Sequence, residues 1–274
     1  MLPPAFDYVR AASVDEAVSL LAEHGDDAKL LAGGHSLLPL MKLRLASPAV
    51  LVDVGRIGDL SFVRNGGDHV AVGALTRHHD VERNPLLRAE VPLLAHVAGL
   101  VGDPQVRHRG TLGGSVAHGD PASDLPAALL ALDATLVARG PGGERTIPVG
   151  DFFVGFLETA LDPTEMLTEI RIPKMGGAGW SYQKFTRRAI DWAIVGVAAV
   201  HNGTTGVALV NMGSTPRRAG AVEAAVGAGE GAAGAARFAA DDTEPPTDLN
   251  AGPDFRRHLA RVLVRRALEE AGVC

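Results

Sequence analysis

The stretch LLAGGHSLLPLMKLRL, Leu30 to Leu45, interrupts a run of leucines with two glycines, a histidine and a serine. The residues before Gly33 predict a short buried strand, and those after Ser36 predict a helix, with Pro39 tolerated in its first turn. A helix N-terminus that follows a strand presents unpaired backbone N–H groups, which can receive a phosphate. The alternative is an ordinary tight turn, because the loop has neither the GxGxxG nor the GxxxxGK[ST] pattern.

A second glycine pair lies in RGTLGGSVAHGDPASD, Arg109 to Asp124. We predict that it belongs to a loop of about two dozen residues, a length that is usually functional inside a compact domain. Two Gly-Gly loops suit a ligand with two phosphates, gripped from both sides. Asp120 or Asp124 could accept hydrogen bonds from sugar or ribityl hydroxyls. Alternatively, both acids stabilise a turn or cap a helix, as an Asp directly before a proline, such as Asp120 before Pro121, typically does.

Two other interpretations of these residues are weaker. GGSVA is similar to a nucleophile elbow with Ser115 as nucleophile, but an elbow needs a strand before it and a helix directly after it. None of the ten histidines has metal-ligand spacing with an acid or a cysteine. His78 and His79 are therefore expected to be solvated, or one of them to be a buried hydrogen-bond partner.

The flanking sequence predicts a mixed α and β fold. SVDEAVSLLAEHG has a capping box, Ser13 with Glu16, and predicts a helix. NPLLRAEVPLLAHVAGLVG predicts one helix with Asn84 as its cap and Pro85 at its first position. HNGTTG predicts a hairpin, and DFRRHLARVLVRRALEEAG predicts an amphipathic closing helix. Gly176 and Gly177 indicate a domain boundary.

Composition narrows the possible functions. The chain has 274 residues, of which 46% are hydrophobic, and a formal net charge of -6, which argues against a nucleic-acid or anionic-membrane surface. Its one cysteine, Cys274, excludes a disulfide framework, a CxxC motif and a thiolate cage within this chain. We therefore expect a cytoplasmic protein with no transmembrane segment, since no apolar run approaches the roughly 18 residues that a spanning helix needs.

The two glycine motifs resemble those of the FAD-binding medium subunit of the molybdenum hydroxylases, the group of carbon monoxide dehydrogenase and xanthine dehydrogenase. That family carries an A-G-G-H-S loop and a T-I-G-G-N loop followed by D-P-x-S-D. Here the first is intact at Ala32 to Ser36, and the second is Thr111 to Ser115 with Asp120 to Asp124. Ser115 replaces the usual Asn. YQKFTRRAIDWA and NMGSTPRRA are similar to the family's C-terminal domain.

The resemblance implies the fold class α+β. A two-part FAD-binding module of the PCMH or vanillyl-alcohol-oxidase-like type is expected over residues 1–175, with subdomains of about 1–57 and 58–175. A C-terminal α+β domain similar to that of the carbon monoxide dehydrogenase flavoprotein is expected over residues 176–274.

The resemblance also implies a set of cofactor-binding residues and no catalytic residue or metal ligand. The first loop and Thr111 to Ser115 would hold the pyrophosphate and the ribityl chain. Val101 and Lys184 would lie near the isoalloxazine, Asp124 would bind a hydroxyl, and Ile170 would supply backbone contacts. The complete set is Lys29, Leu30, Leu31, Ala32, Gly33, Gly34, His35, Ser36, Val101, Gly110, Thr111, Gly113, Gly114, Ser115, Asp120, Ser123, Asp124, Ile170, Lys184 and Trp192.

Trp192 has two interpretations. The family places an aromatic residue from the C-terminal domain over the isoalloxazine ring, so Trp192 would gate the face that the electron acceptor reaches. The alternative is a core or boundary aromatic.

The implied function is that of an electron relay. A molybdopterin large subunit would oxidise the substrate, and a small subunit with two [2Fe–2S] clusters would pass electrons to FAD in this chain. FAD would then deliver them to NAD, a quinone or another acceptor, and the subunits would form a dimer of heterotrimers. The alternatives are a self-contained flavin oxidase or dehydrogenase and a flavin-free scaffold.

Overall fold

The computed structural model describes residues 2–274. The helices are α1 (Val14–His24), α2 (Leu37–Lys42), α3 (His78–Arg83), α4 (Pro85–Glu90), α5 (Pro92–Gly99), α6 (Pro104–Arg109), α7 (Leu112–His118), α8 (Asp124–Ala131), α9 (Gly220–Gly227), α10 (Ala232–Ala235) and α11 (Pro253–Glu270). The strands are β1 (Asp7–Arg10), β2 (Ala28–Leu31), β3 (Val50–Asp53), β4 (Val63–Asn65), β5 (His69–Gly73), β6 (Thr135–Gly140), β7 (Gly143–Pro148), β8 (Phe153–Gly155), β9 (Glu158–Thr159), β10 (Met166–Pro173), β11 (Gly179–Phe185), β12 (Val195–His201), β13 (Thr205–Val210) and β14 (Arg217–Arg218).

The N-terminal part is a parallel sheet of order β1-β3-β2. Helix α1 connects β1 to β2, and its predicted cap is confirmed, since the Ser13 hydroxyl accepts a hydrogen bond from the Glu16 amide at 3.1 Å. Helix α2 connects β2 to β3. The first glycine loop therefore lies at the carboxyl end of β2, where ligands of open α/β sheets bind.

The second part is an antiparallel sheet of order β4-β5-β10-β6-β7, accompanied by the small β8-β9 pair. Helices α3 to α8 are inserted in the chain between β5 and β6. The sheet and these helices share one apolar core, which contains Val72 on β5, Leu94 on α5 and Ile170 on β10.

The C-terminal part is an antiparallel sheet of order β11-β12-β13-β14, buried on both faces. Ala198 and Val200 on β12 belong to the core of α5 and α8, whereas Val197 on the same strand packs in the core of α11. All eight residues of α8 are buried, because this helix lies against the C-terminal sheet as well as its own part of the chain. The expected α+β fold class is confirmed.

Two expectations about local structure are wrong. The helix expected from Pro85 onward is two helices, α4 and α5, because Pro92 has no N–H to continue the hydrogen-bond ladder. The long loop expected around the second glycine pair contains two further helices, α6 and α7, each with a side-chain cap, from Asp103 and Thr111. Within residues 2–274, no helix combines the length and the hydropathy that crossing a membrane requires.

Candidate functional site

A cleft of about 690 Å³ lies where the three parts of the chain meet. The first glycine loop and α7 line it from the N-terminal and second parts, and Asp124 lines it from the start of α8. Lys184 on β11 and Trp192 in the β11–β12 loop line it from the C-terminal part. We refer to this space as the cleft.

The first glycine loop presents free backbone donors. Within residues 2–274, the amide N–H groups of residues 33–37 donate no hydrogen bond to a main-chain or side-chain acceptor. The Ser36 side chain makes no cap bond to the start of α2. Gly34 has φ +77°, a conformation that glycine adopts without strain. The loop thus offers several adjacent amides to an anionic ligand.

The two glycine loops touch each other through their backbones. A Cβ atom built on Gly33 would lie 2.9 Å from the Arg109 carbonyl carbon and 2.9 Å from Gly110 Cα, and closer still to the Arg109 carbonyl oxygen. A Cβ built on Gly113 would lie 2.7 Å from the carbonyl oxygen of Ala74. These glycines are required because the main chains approach too closely for any side chain.

The second loop differs from the first in its donors. The amides at Leu112 and Gly113 donate to the carbonyls of Thr76 and Ala74 at 2.9 and 2.8 Å, and that at Gly114 donates to Thr111 Oγ1 at 3.1 Å. This loop therefore contributes a closely packed surface and side-chain hydroxyls, and it lacks the free amides of the first loop. Because Ser115 lies inside helix α7, the nucleophile-elbow interpretation is wrong.

A buried ion pair also lines the cleft. Lys184 Nζ is 2.7 Å from Asp124 Oδ2, and the two side chains are 9% and 7% exposed. Tyr182 Oη donates to Asp124 Oδ1 at 2.5 Å. Burial raises the pKa of Asp124, and the bonds from Lys184 and Tyr182 offset part of that rise. The pair joins a cation of the C-terminal part, Lys184, to an anion of the second part, Asp124.

His78 is a site residue that no sequence motif indicated. It lines the cleft, is buried, and its Nδ1 has no hydrogen-bond partner within residues 2–274. Burial, followed by the charges of Arg77, His35 and Arg107, lowers its pKa from 6.5 to about 4. The imidazole is therefore neutral at pH 7.

We expect His78 to make the chain acid-sensitive. A histidine whose pKa is lower in the folded than in the unfolded chain contributes stability above the unfolded value, about 6.5, and that stability is lost as the pH falls through about 4. The full loss is about 3 kcal/mol. Urea unfolding of wild type and His78→Gln between pH 7 and pH 4 measures it, because the other titrating groups are common to both chains. Parallel stability curves would contradict the expectation.

Trp192 lies at the rim of the cleft with 59% of its surface exposed. Trp192 is therefore not a core aromatic, whereas the boundary position and the gating role stay predictions. Ile190 in the same loop is equally exposed. The carbonyl of Ala193 accepts a hydrogen bond from Asn211 Nδ2 at 2.9 Å, which ties the end of this loop to the sheet.

The structure brings most of the sequence-predicted residues to the cleft. Lining residues are Lys29, Leu30, Ala32, Gly33, His35, Ser36, Val101, Gly110, Thr111, Gly113, Gly114, Ser115, Ser123, Asp124, Lys184 and Trp192. Leu31, Gly34, Asp120 and Ile170 do not line it. Asp120 accepts from the Ala122 amide at 2.8 Å, as a turn residue does, and Ile170 is fully buried in β10.

A further part of the lining had no sequence signal. The segment from Leu157 to Pro163 closes one side of the cleft with Leu161 and Asp162. It follows strand β8 and carries no glycine pair, aromatic residue or metal-ligand spacing. Only the folded chain places it in the same cleft lining as the two glycine loops.

The lining fits a dinucleotide such as FAD. The free amides of residues 33–37 suit a pyrophosphate, and the glycines allow the two loops to pack closely beside it. Lys184, which also lines the cleft, supplies a cation. The donors are amides, hydroxyls and one ammonium, which are groups that bind phosphate and heterocyclic oxygen or nitrogen.

Comparison with known proteins agrees with this geometry. Residues 4–175 match the family described as FAD binding domain in molybdopterin dehydrogenase, and residues 180–271 match the CO dehydrogenase flavoprotein C-terminal domain. The chain is 44% identical to the carbon monoxide dehydrogenase medium chain of Hydrogenophaga pseudoflava, covering 99% of this chain and 98% of that one. It is 37% identical to the 6-hydroxypseudooxynicotine dehydrogenase complex subunit alpha of Paenarthrobacter nicotinovorans, covering 99% and 96%.

Among solved structures, the chain is similar to that of the Hydrogenophaga pseudoflava carbon monoxide dehydrogenase lacking the Mo-pyranopterin moiety of its cofactor. The TM-score is 0.94 at 44% identity, covering 99% of this chain and 98% of that one. The expectation of FAD as cofactor and the resemblance to carbon monoxide dehydrogenase medium subunits are both confirmed. The chain belongs to the FAD-binding medium subunits of the molybdenum hydroxylases, which are subunits of molybdenum-dependent oxidoreductases.

Proposed function

We propose that this subunit passes electrons from the [2Fe–2S] clusters of a partner small subunit, through FAD, to an external acceptor. A molybdopterin-containing large subunit oxidises the substrate. The observation that carries the proposal is that one cleft is lined by the free amides of the first glycine loop, by the Lys184–Asp124 pair and by Trp192. That arrangement suits a flavin dinucleotide with its ring directed toward the rim.

Each part of the lining has a role in this proposal. The amides of residues 33–37 hold the pyrophosphate. The hydroxyl of Ser115 lies along the ribityl chain, and Val101 and Lys184 contact the isoalloxazine. Bound FAD supplies the redox chemistry, because it exchanges electrons singly or in pairs. The protein orients the ring and limits what reaches it.

The proposal also covers the domain bounds, the assembly of the complex, its location in the cell and its substrate. The FAD-binding module comprises residues 1–175, with subdomains of about 1–57 and 58–175, and the C-terminal domain comprises 176–274. The complex is a cytoplasmic dimer of heterotrimers. Because relatives of nearly equal length carry names with such different substrates as carbon monoxide and a hydroxypseudooxynicotine, substrate choice resides in another subunit. Carbon monoxide is the first substrate to test, and NAD and quinones are the first acceptors.

The proposal is tested by reconstituting the chain with and without its partner subunits. We expect carbon monoxide or another small substrate to bleach the flavin absorbance only when the large and small subunits are both present. Dithionite should reduce the flavin in every sample, which controls for a competent cofactor. A lone chain that turns over substrate with dioxygen would instead support a self-contained oxidase, and a chain purified without flavin would support a scaffold.

Trp192→Ala should change access to the flavin, not its retention. Aromatic stacking contributes roughly 0.5–1.5 kcal/mol beyond buried area, which is small beside several phosphate bonds. We expect FAD content to stay near wild type, while the reoxidation rate of reduced flavin changes with NAD and with dioxygen. Trp180→Ala is a control, since Trp180 packs beside His96 and does not line the cleft. Equal rates in Trp192→Ala and wild type would remove the gating role.

A further inference from the structure

Tyr182 is connected to the cleft although it does not line it. It leaves β11 on the same face as Lys184, since residues two apart in a strand share a face. Both side chains reach Asp124, Tyr182 through Oδ1 at 2.5 Å and Lys184 through Oδ2 at 2.7 Å. Each carboxylate oxygen therefore has its own donor.

The geometry leaves one direction open at Lys184. An ammonium has three N–H donors, and Nζ of Lys184 donates to Asp124 Oδ2 and, at 3.1 Å, to the carbonyl of Leu100. The third donor has no partner within residues 2–274, and the side chain lines the cleft. With two donors fixed, the direction of the third is fixed as well.

Tyr182 is a permanent donor to this pair. It is buried, and burial together with the charge of Asp124 raises its pKa well above 10, so the phenol keeps its proton. Its bond stabilises the ionised form of a carboxylate whose pKa burial raises. The first turn of α8, where Asp124 lies, also favours a negative charge. Without the phenol, Lys184 would be the remaining partner of Asp124.

We propose that Tyr182 is a positioning residue of the flavin site, which through Asp124 holds the charge and the third N–H of Lys184 toward the flavin ring. This inference rests on the proposed binding of FAD in the cleft. Reduced flavin carries more negative charge than oxidised flavin, so a cation held against the ring favours reduction. Tyr182 then affects the reduction equilibrium without touching the cofactor.

Tyr182→Phe removes the hydroxyl and keeps the ring. The charge of Asp124 then rests on Lys184 alone and draws the ammonium away from the flavin. At pH 8 we expect the flavin reduction equilibrium, measured against a reference dye, to become less favourable by about threefold to tenfold, the range that one hydrogen bond spans. FAD content should remain stoichiometric in the full chain, purified with whatever subunits accompany it.

Two further variants test whether Tyr182 acts through Asp124. Asp124→Asn removes the carboxylate through which Tyr182 acts, so it should shift the reduction equilibrium away from the wild-type value. Adding Tyr182→Phe to it should change little, because the intermediate carboxylate is gone. Tyr8→Phe is the matched control. Tyr8 also donates to an aspartate, Asp53 Oδ2 at 2.5 Å, but it does not line the cleft. The flavin reduction equilibrium of Tyr8→Phe should therefore equal that of wild type.

The outcomes separate this inference from the proposed function. Wild-type chain that holds no FAD overturns both. Wild type that holds FAD, with an unshifted equilibrium in Tyr182→Phe, overturns this inference alone, as does an equal shift in the presence and absence of the Asp124 carboxylate. If Tyr182→Phe yields no folded chain, as judged by its thermal melt, Asp124→Asn decides, and an unchanged equilibrium in that variant overturns the inference.

Discussion

Gly33→Ala will purify without FAD. The added methyl group would lie 2.9 Å from the Arg109 carbonyl carbon and from Gly110 Cα, and backbone atoms cannot rotate away as a side chain can. The two glycine loops must separate, and the amides of residues 33–37 move from the pyrophosphate. Each bond between an amide and a charged group contributes about 1.5–3 kcal/mol, so losing two raises the FAD dissociation constant about 100-fold or more.

The measurement is fluorimetric titration of FAD-free chain with FAD. Gly58→Ala is the matched control, because a Cβ built there meets nothing within 4 Å. It should bind FAD as wild type does. Gly114→Asp tests the second loop, since its side chain would crowd Thr111 Oγ1 and bring a negative charge to the cleft. Full flavin content in Gly33→Ala or Gly114→Asp would mean that FAD does not lie between the loops.

Lys184→Met will destabilise the chain by about 3–5 kcal/mol, because removing one partner of a buried ion pair leaves the other charge without compensation. Asp124 keeps its bond from Tyr182 but loses its cation, and its pKa, already raised by burial, rises further. The deficit should be greatest above that pKa and shrink as the pH falls through it, since a protonated Asp124 has no charge to compensate. Urea unfolding of the FAD-free chain at pH 8 and at successively lower pH measures both effects.

Lys174→Met supplies the comparison. Lys174 is 3.9 Å from Glu90, and both side chains are more exposed than those of the buried pair. Exposed pairs contribute about 0–1 kcal/mol, so this variant should remain near wild type. Equal decreases in the free energy of unfolding of the two variants would show that the Lys184–Asp124 contact contributes no more to stability than the Lys174–Glu90 contact.

Local signals predicted local structure well. The capping box at Ser13 and Glu16 and the cap at Asn84 involve residues three or fewer apart, and both helices begin where they indicate. The break at Pro92 was also visible in the sequence, but the continuous apolar periodicity on either side of it favoured one helix. The caps at Asp103 and Thr111 were hidden among glycines and prolines that are equally typical of loops.

The site was predictable only where a motif is contiguous. The first loop and Asp124 follow from the family motifs, but the bond between Tyr182 and Asp124 joins residues 58 positions apart. The lack of a partner at His78 Nδ1 and the position of the segment from Leu157 to Pro163 likewise depend on packing between distant parts of the chain. Contacts between residues so far apart leave no local pattern in a single sequence, so they cannot be predicted from it.

Because helix α8 packs against the C-terminal sheet, the two parts of the chain that match separate family models are not independent folding units. The two family models meet between residues 175 and 180, yet the apolar core runs from α8 directly into Ala198 and Val210 of the following sheet. A fragment ending at that border would expose one flank of α8, whose residues after Asp124 are all apolar, and such a surface is prone to aggregation. Chimaeras that exchange C-terminal domains between relatives must therefore keep the side-chain volumes matched where α8 packs against the C-terminal sheet, as in any continuous core.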